Sequence, residues 1–205
     1  MRILELFSGT KSVTKAMQGH TIVSLDILPK HSPTICANVL EWDYKQYPPG
    51  HFDAIWASPP CIEYSILKHN TGMATNMALA DAIVLRTLEI IAYYEPDKWF
   101  IENPQTGLLK TRPFMTDIPF YDVDYCAYSD WGYKKRTRIW TNVDFSPRLC
   151  GGTDACPNMV GRFHKASFGG QGRPKDHTYI SVPAGENAHR VPPALIRALF
   201  SSPPQ

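Results

Sequence analysis

The sequence predicts an α/β fold, with a mostly parallel, doubly wound sheet that ends in an antiparallel edge. In the first half of the chain, short apolar runs alternate with helical patterns, which is typical of parallel βαβ units. The apolar runs suit strands that are buried on both faces. In the second half, two strand-like runs are separated only by a glycine-containing turn, which predicts an antiparallel pair.

Each predicted element has its own local signal. The predicted parallel strands are residues 2–7, 21–27, 52–57 and 98–103. The clearest helix is predicted over residues 75–94, where apolar side chains recur at spacings of three and four and Pro96 then ends the segment. The antiparallel pair is predicted at residues 121–128 and 138–143.

The composition limits how the chain can be organised. Its 205 residues, 43% of them hydrophobic, are enough for one full-sized core, so we expect a single domain over residues 1–205. Within it, the stretch 145–188 is rich in Gly, Pro and Arg and shows little periodicity. We expect this stretch to be a short loop-rich insertion.

The sequence also indicates a soluble, intracellular protein of the cytoplasm or nucleoid. No apolar run approaches the roughly 20 residues that span a bilayer, and the first residues do not read as a secretory leader. The five cysteines are an odd number, which argues against a disulfide framework. A net charge of +2 is too small to identify a nucleic-acid partner, although residues 133–138 form a basic cluster.

Polar residues follow the ends of the predicted parallel strands, where ligands bind in an open α/β sheet. The first strand leads into the glycine turn 7–12, where the backbone can approach a ligand and a helix start offers free N–H groups. The later strands lead to Asp26, Cys61 and Glu102. Because Asp26 can accept two hydrogen bonds from a ribose, the sequence predicts a site for a nucleoside-containing cofactor beside a reacting substrate.

Each of these residues also has an ordinary structural explanation. A glycine turn needs no ligand, and Asp26 could simply cap a helix. Cys61 could be a small buried residue, and Glu102 could be an ion-pair partner. The residues occur in one order and at one edge of the predicted sheet, and this joint spacing favours a site.

The ordered motifs of the chain resemble those of the C5-cytosine DNA methyltransferases. The matching segments are LELFSGTKSVTKAM (4–17), SLDI (24–27), SPPCIEYS (58–65), IENP (101–104), KKRTRIW (134–140) and RVPPALIRAL (190–199). They span nearly the whole chain, and PPC, EN and RTR in this order are more specific than FSG or VPP alone. The resemblance implies a Rossmann-like, S-adenosylmethionine-dependent methyltransferase fold and methyl transfer to C5 of cytosine in DNA.

The resemblance assigns catalytic roles to four residues. Cys61 would be the nucleophile that adds to C6 of the ring and so activates C5, and Glu102 would hold N3 and the exocyclic amine. Arg136 and Arg138 would support the base carbonyl, the phosphate backbone or the thiolate, and these alternatives stay open. The polar segment 67–76 would close over a base that has left the duplex.

The resemblance also implies S-adenosylmethionine as the cofactor. Asp26 would bind its ribose, and either Asn38 or its rival Asp43 would meet its adenine. The predicted cofactor-binding residues are Phe7, Ser8, Gly9, Thr10, Asp26, Ile27, Asn38, Val39, Asp43 and Pro60.

The chain departs from the family pattern at several positions. Lys11 and Ser12 stand where the family has further glycines, and Ala188 and His189 stand where it has Gly-Asn. None of these departures removes a catalytic group. The largest departure is size, because only about residues 144–188 stand in place of a target-recognition domain, less than a small domain needs.

The implied partner is DNA, and the sequence does not exclude RNA. The candidate nucleic-acid-binding residues are Ser65, Lys68, Arg162 and Lys165. The basic residues of the insertion would contact phosphates, although a solvated loop explains them equally well. Because so little chain is left for base recognition, we expect a short target or a partner protein that supplies the recognition.

The insertion contains a weaker metal signal. Cys150 and Cys156 are followed by His164 at a distance that could complete three zinc ligands, and His177 and Asp154 are candidates for a fourth. The spacing departs from a C-x-x-C knuckle, so the sequence favours no metal site.

Two other functions stay open at the level of sequence. The motif SPPC also resembles the SPPY-type motif of amino-methyltransferases, which act on an exocyclic base amine without a covalent adduct. Cys61 in place of the aromatic residue argues against that class. A catalytically silent, nucleic-acid-binding relative is the non-enzyme alternative, and the presence of Cys61, Glu102 and the two arginines argues against it.

Overall fold

The structure is a computed structural model that describes residues 1–168, 180–182 and 189–205. Two residues considered from the sequence, His177 and Ala188, lie outside the described residues. Among the described residues, the main sheet has seven strands. They are β1 (Arg2–Leu6), β2 (Thr21–Asp26), β3 (Ile35–Cys36), β4 (Ala54–Ala57), β5 (Lys98–Pro104), β6 (Phe120–Asp124) and β7 (Arg136–Thr141).

The strand order is β3-β2-β1-β4-β5-β7-β6. The strands from β3 to β5 in this order pair in parallel, whereas β7 pairs antiparallel with both β5 and β6. The predicted α/β fold, with its parallel sheet and antiparallel edge, is therefore confirmed. Its topology has a switch point, because the chain leaves β1 for β2 on one side and later returns to β4 on the other.

The antiparallel edge differs in detail from the prediction. β6 ends at Asp124 and not at residue 128, because the chain turns there into the one-turn helix Tyr125–Ala127. β7 begins two residues before the predicted 138, because Arg136 still pairs with Asp124 across the two strands. The two-residue strand β3 was not predicted, since so short a segment carries no periodicity.

Four α-helices lie within the described residues: α1 (Ser12–Ala16), α2 (Ile66–Asn70), α3 (Met77–Tyr94) and α4 (Pro193–Ser201). The helix predicted over 75–94 corresponds to α3. It begins where the Asn76 side chain accepts the N–H of Leu79, which satisfies one of the free donors of the first turn. It ends at Glu95, whose φ of 47° is left-handed, and Pro96 cannot continue it.

Helices cover the sheet on both faces, which explains why the strands are apolar throughout. On one face, Ile3 of β1 belongs to a core that includes residues of α1 and α4. On the other face, Leu4 belongs to a core with Val84 of α3. Both residues are fully buried, and this two-sided burial is what parallel sheets in α/β proteins require.

The described part of the insertion predicted at 145–188 contains two small sheets. β8 (Met159–Val160) pairs antiparallel with β9 (Phe163–His164), and β10 (Ala166–Phe168) pairs parallel with β11 (Ile180–Val182). Residues 169–179 and 183–188 lie outside the described residues. No helix in the described part of the chain is both long and apolar enough to cross a bilayer.

Candidate active site

A cavity of about 300 Å³ opens at the carboxyl ends of the parallel strands. Its lining comes from the ends of β1, β2, β4 and β5 with the segments that follow them, from the segment after β3, from Ile83 of α3, from Lys135 before β7 and from the segment before α4. The predicted site residues in this lining are Phe7, Ser8, Gly9, Thr10, Asp26, Ile27, Asn38, Val39, Pro60, Cys61 and Glu102. Residues that are distant in the sequence thus meet at one cavity, at the switch point where open α/β sheets bind ligands.

The loop after β1 has a strained backbone. Phe7 and Lys11 have φ angles of 57° and 56°, and Gly9 has a φ of 43°. This left-handed region suits glycine and costs other residues on the order of 1–3 kcal/mol each. The Gly9 N–H donates to Oδ2 of Asp26 at 2.8 Å. This hydrogen bond holds the strained loop against the end of β2, beside the cavity.

Asp26 connects the ends of the first two strands. Its side chain is buried, and its Oδ1 accepts the N–H of Leu28 at 2.9 Å while Oδ2 accepts the N–H of Gly9. A carboxylate has about four lone-pair positions, so acceptor capacity remains for donors in the cavity. A pair of ribose hydroxyls is a chemically suitable source of those donors.

A hydroxyl group in the cavity lining also lacks a partner. Among the described residues, Oγ of Ser8 is buried and has no hydrogen bond. Leaving such a group unpaired costs about 1–3 kcal/mol, so a polar group of a ligand would be favoured there.

The two candidates for an adenine contact differ in whether they line the cavity. Asn38 and Val39 both line the cavity, and Asn38 is fixed there because its Oδ1 accepts the N–H of Leu40 at 3.1 Å. Asp43 is exposed, is absent from the lining, and instead caps the one-turn helix Tyr44–Gln46. Asp43 is therefore left out of the proposed cofactor site.

The loop that carries Cys61 follows the two prolines after β4. The Asn103 side chain donates from Nδ2 to the carbonyl oxygen of Pro59 at 2.9 Å. The N–H of Leu108 donates to the carbonyl oxygen of Tyr64 at 2.8 Å. The segment that continues from β5 therefore holds both ends of this loop, and Cys61 is presented in between, half-buried in the cavity lining.

The surroundings of Cys61 keep its thiol protonated. Burial raises the pKa of the Cys61 thiol, and the negative charge of Glu102 raises it further. The positive charge of Lys135 acts in the opposite direction and lowers this pKa. Lys135 is therefore the cation that favours the thiolate at this site.

Glu102 lies at the end of β5 and is almost fully buried. Its Oε1 accepts the hydroxyl of Tyr125 at 3.0 Å and lies 3.5 Å from Nζ of Lys135. Burial and the charge of Glu102 raise the pKa of Tyr125 well above its ordinary value, so the phenol stays a donor. The carboxylate is thus oriented by two donors at one oxygen.

The predicted catalytic arginines lie elsewhere. Arg136 donates twice to Asp124, at 2.9 and 2.7 Å, and Arg138 donates twice to Asp122, at 2.8 and 2.9 Å. Neither arginine lines the cavity, whereas Lys135 does. In this structure both arginines are paired with aspartates and Lys135 is the cation in the cavity lining, so support of the base carbonyl, the phosphate backbone or the thiolate by Arg136 and Arg138 stays a prediction.

Strand geometry explains this difference. Side chains two residues apart in a strand point to the same face, so Arg136 and Arg138 share one face while the residues between and beside them face the other way. In the sheet register, Asp124 pairs with Arg136 and Asp122 pairs with Arg138. The matching D-x-D and R-x-R spacings were therefore a readable signal of cross-strand ion pairs.

The C-terminal segment returns to the cavity. His189 and Val191 both belong to its lining, and the Val191 N–H donates to Oγ of Ser12 at 3.0 Å. Burial lowers the pKa of His189, and the positive charge of Lys135 lowers it further, so the imidazole is favoured in its neutral form. Ser12, a departure from the family pattern, thus anchors the segment that closes the site.

The candidate nucleic-acid-binding residues lie outside the cavity lining. Ser65 precedes α2, and Lys68 within it lies 2.6 Å from Glu63, so its charge is already paired. Arg162 and Lys165 are exposed in the insertion. These two basic residues and the Ser65 hydroxyl stay candidates for phosphate contacts.

The residues considered as zinc ligands lie together, away from the cavity. Cys150, Cys156 and His164 form one cluster, and its fourth member is Cys126. Asp154, which was considered for that position, is exposed and is not part of the cluster. Cys126 was missed because it lies outside the insertion, in the turn between β6 and β7.

The fold is similar to the Rossmann-like fold of solved methyltransferase structures. One similar structure, from E. coli, is named "putative DNA modification methyltransferase encoded within prophage", with a TM-score of 0.51 and 14% identity over 72% of this chain and 51% of that chain. Another is a methyltransferase of Entamoeba histolytica, with a TM-score of 0.51 and 17% identity over 72% and 56% of the two chains. The chain spans about half the length of these structures.

The family is shown by sequence. The family model of C-5 cytosine-specific DNA methylases matches residues 1–114. A relative from Frog virus 3 (isolate Goorha), named "Probable DNA (cytosine-5)-methyltransferase", is 42% identical over 223 aligned residues that cover 98% of this chain and 99% of the relative. The chain therefore belongs to the C-5 cytosine-specific DNA methylase family and is an enzyme of that family.

We predict that Lys135→Met raises the pKa of the Cys61 thiol, because the variant loses the cation that favours the thiolate. Alkylation of Cys61 by iodoacetamide, followed by peptide mass spectrometry over a range of pH, should be slower at neutral pH than in the wild type, with its profile moved to higher pH. Glu102→Gln should move the profile the other way, since it removes a negative charge.

The matched control is Lys134→Met, because Lys134 lies 3.6 Å from Asp124 and outside the cavity lining. This variant should leave the alkylation profile of Cys61 unchanged. Equal shifts in the two lysine variants would show that Lys135 affects the pKa of the Cys61 thiol no more than Lys134 does.

Proposed function

We propose that the protein transfers a methyl group from S-adenosylmethionine to C5 of cytosine in DNA, through a covalent adduct between Cys61 and C6 of the base. The observation that carries this proposal is that Cys61 and Glu102 line the same cavity as Asp26 and the strained loop after β1. A nucleophile, a carboxylate for the base and a ribose acceptor are therefore available at one site.

The residues of the cavity fit the cofactor. Asp26 would accept the ribose hydroxyls through its remaining lone pairs, and Ser8 Oγ would pair with the amino-acid part. Asn38, Val39 and Ile27 would surround the adenine. Bound there, S-adenosylmethionine supplies an electrophilic methyl group.

Cys61 would begin the reaction on the base. Its thiolate would add to C6, and the S–C6 bond forms while the electron pair of the C5–C6 double bond shifts to C5 and, through C4, towards N3. C5 would then attack the sulfonium methyl group, and the bond between that methyl group and its sulfur breaks, so that the rest of the cofactor leaves as a neutral thioether. Loss of the C5 proton to a base returns an electron pair to the C5–C6 bond, and the S–C6 bond breaks to release the Cys61 thiolate.

Glu102 would stabilise the charge that the thiolate pushes into the ring. Its carboxyl group, held by Tyr125 and Lys135, would accept a hydrogen bond from the exocyclic amine of cytosine and share a proton with N3, since N3 and an ionised carboxylate are both acceptors. A buried, pre-oriented group of this kind acts strongly because it need not reorganise during the reaction. Lys135 would also favour the thiolate directly.

A base inside a duplex cannot reach this cavity, so the proposal includes extrusion of the target cytosine. The segment 67–76, which was predicted to close over the base, contains most of α2 and follows the loop of Cys61. Leu67 and Met73 of this segment are largely exposed, at 71% and 62%. Exposed apolar side chains in a segment that closes over the base would be suited to fill the gap that a flipped base leaves.

Recognition of the target sequence would be limited in this chain. Arg162 and Lys165 of the insertion are exposed and suited to phosphate contacts, which position a protein on DNA without reading its sequence. We therefore propose a short target, or a partner protein that supplies the reading.

We predict that Cys61→Ala lowers methyl transfer by on the order of 10⁴-fold or more, because the variant cannot form the adduct that activates C5. Duplex DNA is incubated with S-adenosylmethionine and the protein, and its nucleosides are separated by mass spectrometry. The wild type should yield 5-methyldeoxycytidine. The matched control is Cys36→Ala, since Cys36 is exposed and outside the cavity lining, and it should keep wild-type turnover.

The same assay separates the alternatives. Formation of N4-methyldeoxycytidine by the wild type would favour the amino-methyltransferase. A wild type that binds DNA and the cofactor without any methylated product would favour the silent relative. Neither result is compatible with the proposed reaction.

We predict that Asp26→Ala weakens S-adenosylmethionine binding by about 1–3 kcal/mol, the usual cost of losing a charged hydrogen-bond acceptor. Isothermal titration calorimetry measures the affinity. Asp43→Ala is the matched control, because Asp43 also accepts a backbone N–H but is absent from the cavity lining. Equal losses in both variants would show that Asp26 acts only as a cap of its loop.

A further inference from the structure

Four side chains with metal-binding atoms converge outside the proposed active site. Cys126 lies in the turn after β6, Cys150 and Cys156 lie early in the insertion, and His164 ends β9. Their three sulfur atoms and one ring nitrogen all lie within 4.8 Å of one another. Segments from both the sheet and the insertion therefore meet at this cluster.

The distances match those of a single tetrahedral ion. Nε2 of His164 lies 3.5 Å from Sγ of Cys150 and 3.6 Å from Sγ of Cys156. Zinc binds sulfur at about 2.3 Å and histidine nitrogen at about 2.0–2.1 Å, which places tetrahedral S and N ligands about 3.5–3.6 Å apart. One ring nitrogen has only one lone pair or one proton, so it cannot hydrogen-bond well to two thiols at once. A cation between them satisfies both.

We propose that Cys126, Cys150, Cys156 and His164 bind a structural zinc ion that fastens the insertion to the turn between β6 and β7. Three thiolates and an imidazole are a complete donor set for zinc, with no open position for a substrate. Cys126 and Cys156 are buried, and the other two ligands are half-buried, so the ion is enclosed by protein. The role that follows is structural.

The chain between the two insertion cysteines is shaped to bring them together. A Cβ on Gly151 would lie 2.6 Å from Cβ of Ala155, closer than side chains can approach, so only glycine permits this tight turn. Gly152 has a φ of 73°, which also favours glycine. The CGGTDAC segment therefore returns Cys156 to Cys150.

The polar groups around the cluster orient its ligands. The Asp124 carboxylate accepts the N–H of Cys150 at 2.8 Å and pairs with Arg136 and Lys134. Three thiolates and one Zn²⁺ leave a single negative charge in excess, and this carboxylate with its two cations carries one positive charge. The ion pair of Arg136, which the catalytic prediction did not explain, thus acquires a role in charge balance.

A buried asparagine fixes the backbone of one ligand. Asn158 donates from Nδ2 to the carbonyl oxygens of Cys126, at 2.9 Å, and Ser129, at 2.8 Å, and its Oδ1 accepts the N–H of Gly132 at 3.2 Å. Asn158 follows Cys156 by two residues. The insertion and the turn are therefore joined by hydrogen bonds beside the ligands, in the arrangement that orients them before the ion binds.

The cluster is connected to Glu102 through Tyr125, the residue before Cys126. Cys126 follows Tyr125, whose hydroxyl donates to Glu102 and whose N–H donates to the carbonyl oxygen of Lys135 at 3.1 Å. Metal binding would hold the turn that positions both residues. Loss of the ion should therefore lower activity even though no ligand belongs to the cavity lining.

The metal content of the purified protein, residues 1–205, is measured by inductively coupled plasma mass spectrometry. We expect about one zinc per wild-type chain, and a strong thiolate-to-metal absorption band after exchange with Co²⁺. His164→Ala should lose the metal, whereas His164→Cys should retain it, because four thiolates also bind zinc. This rescue separates a ligand from a residue that only supports the fold.

The matched control is Cys36→Ser, since Cys36 is exposed and outside the cluster and this variant should keep its zinc. A wild type that contains no zinc and takes up none when Zn²⁺ is added would overturn the proposal. So would iron in place of zinc, or a disulfide between two of the three cluster cysteines.

Discussion

β1 pairs in parallel with β2 on one side and with β4 on the other, and this pairing determines where the functional side chains lie. The chain leaves β1 and β4 in different directions, so their carboxyl ends border one crevice. The strained loop and Asp26 reach it from one side, and Cys61 and Glu102 reach it from the other. Because both faces of these strands are packed, the strands form a rigid support for groups that must be placed accurately.

The electrostatics of the cavity suggest how the thiol is controlled. Burial and Glu102 keep Cys61 protonated, with Lys135 acting against them, so the nucleophile is not highly reactive when only protein groups surround it. In the proposed reaction, a cytosine that binds Glu102 through N3 and its amine would engage that negative charge. The thiolate would then be favoured when the base is in place, which restricts the reactivity of Cys61 to the substrate complex.

Much of the fold could be predicted because its signals are local. Buried parallel strands appear as apolar runs, and the periodicity of α3 and the proline after it mark that helix directly. The positions of Asp26, Cys61 and Glu102 followed from the strand ends. The positions of side chains that depend on pairing between strands could not be predicted from local sequence signals. Arg136 and Arg138 matched a motif, yet the register of β6 against β7 places both opposite aspartates. Lys135, the residue before β7, lines the cavity instead.

The fourth member of the cysteine–histidine cluster shows the same limit. Cys126 is 24 residues from Cys150 in sequence, and the two meet in the fold, where hydrogen bonds and a shared apolar core join the insertion to the end of β6 and the turn that follows it. Spacing within the insertion suggested three ligands, and the candidates considered for a fourth, His177 and Asp154, did not include Cys126. Ligands held on separate segments are visible only when the tertiary structure is known.

Trapping of the adduct tests whether Cys61 forms a covalent bond to the target cytosine. A duplex oligonucleotide with 5-fluorocytosine in place of cytosine is incubated with the protein and S-adenosylmethionine. Fluorine cannot leave C5 as a proton does, so the S–C6 bond should persist through denaturation. We expect a stable complex, in which mass spectrometry locates the oligonucleotide on Cys61. Methylation of ordinary cytosine by a protein that forms no such complex, or a complex on another residue, would contradict it.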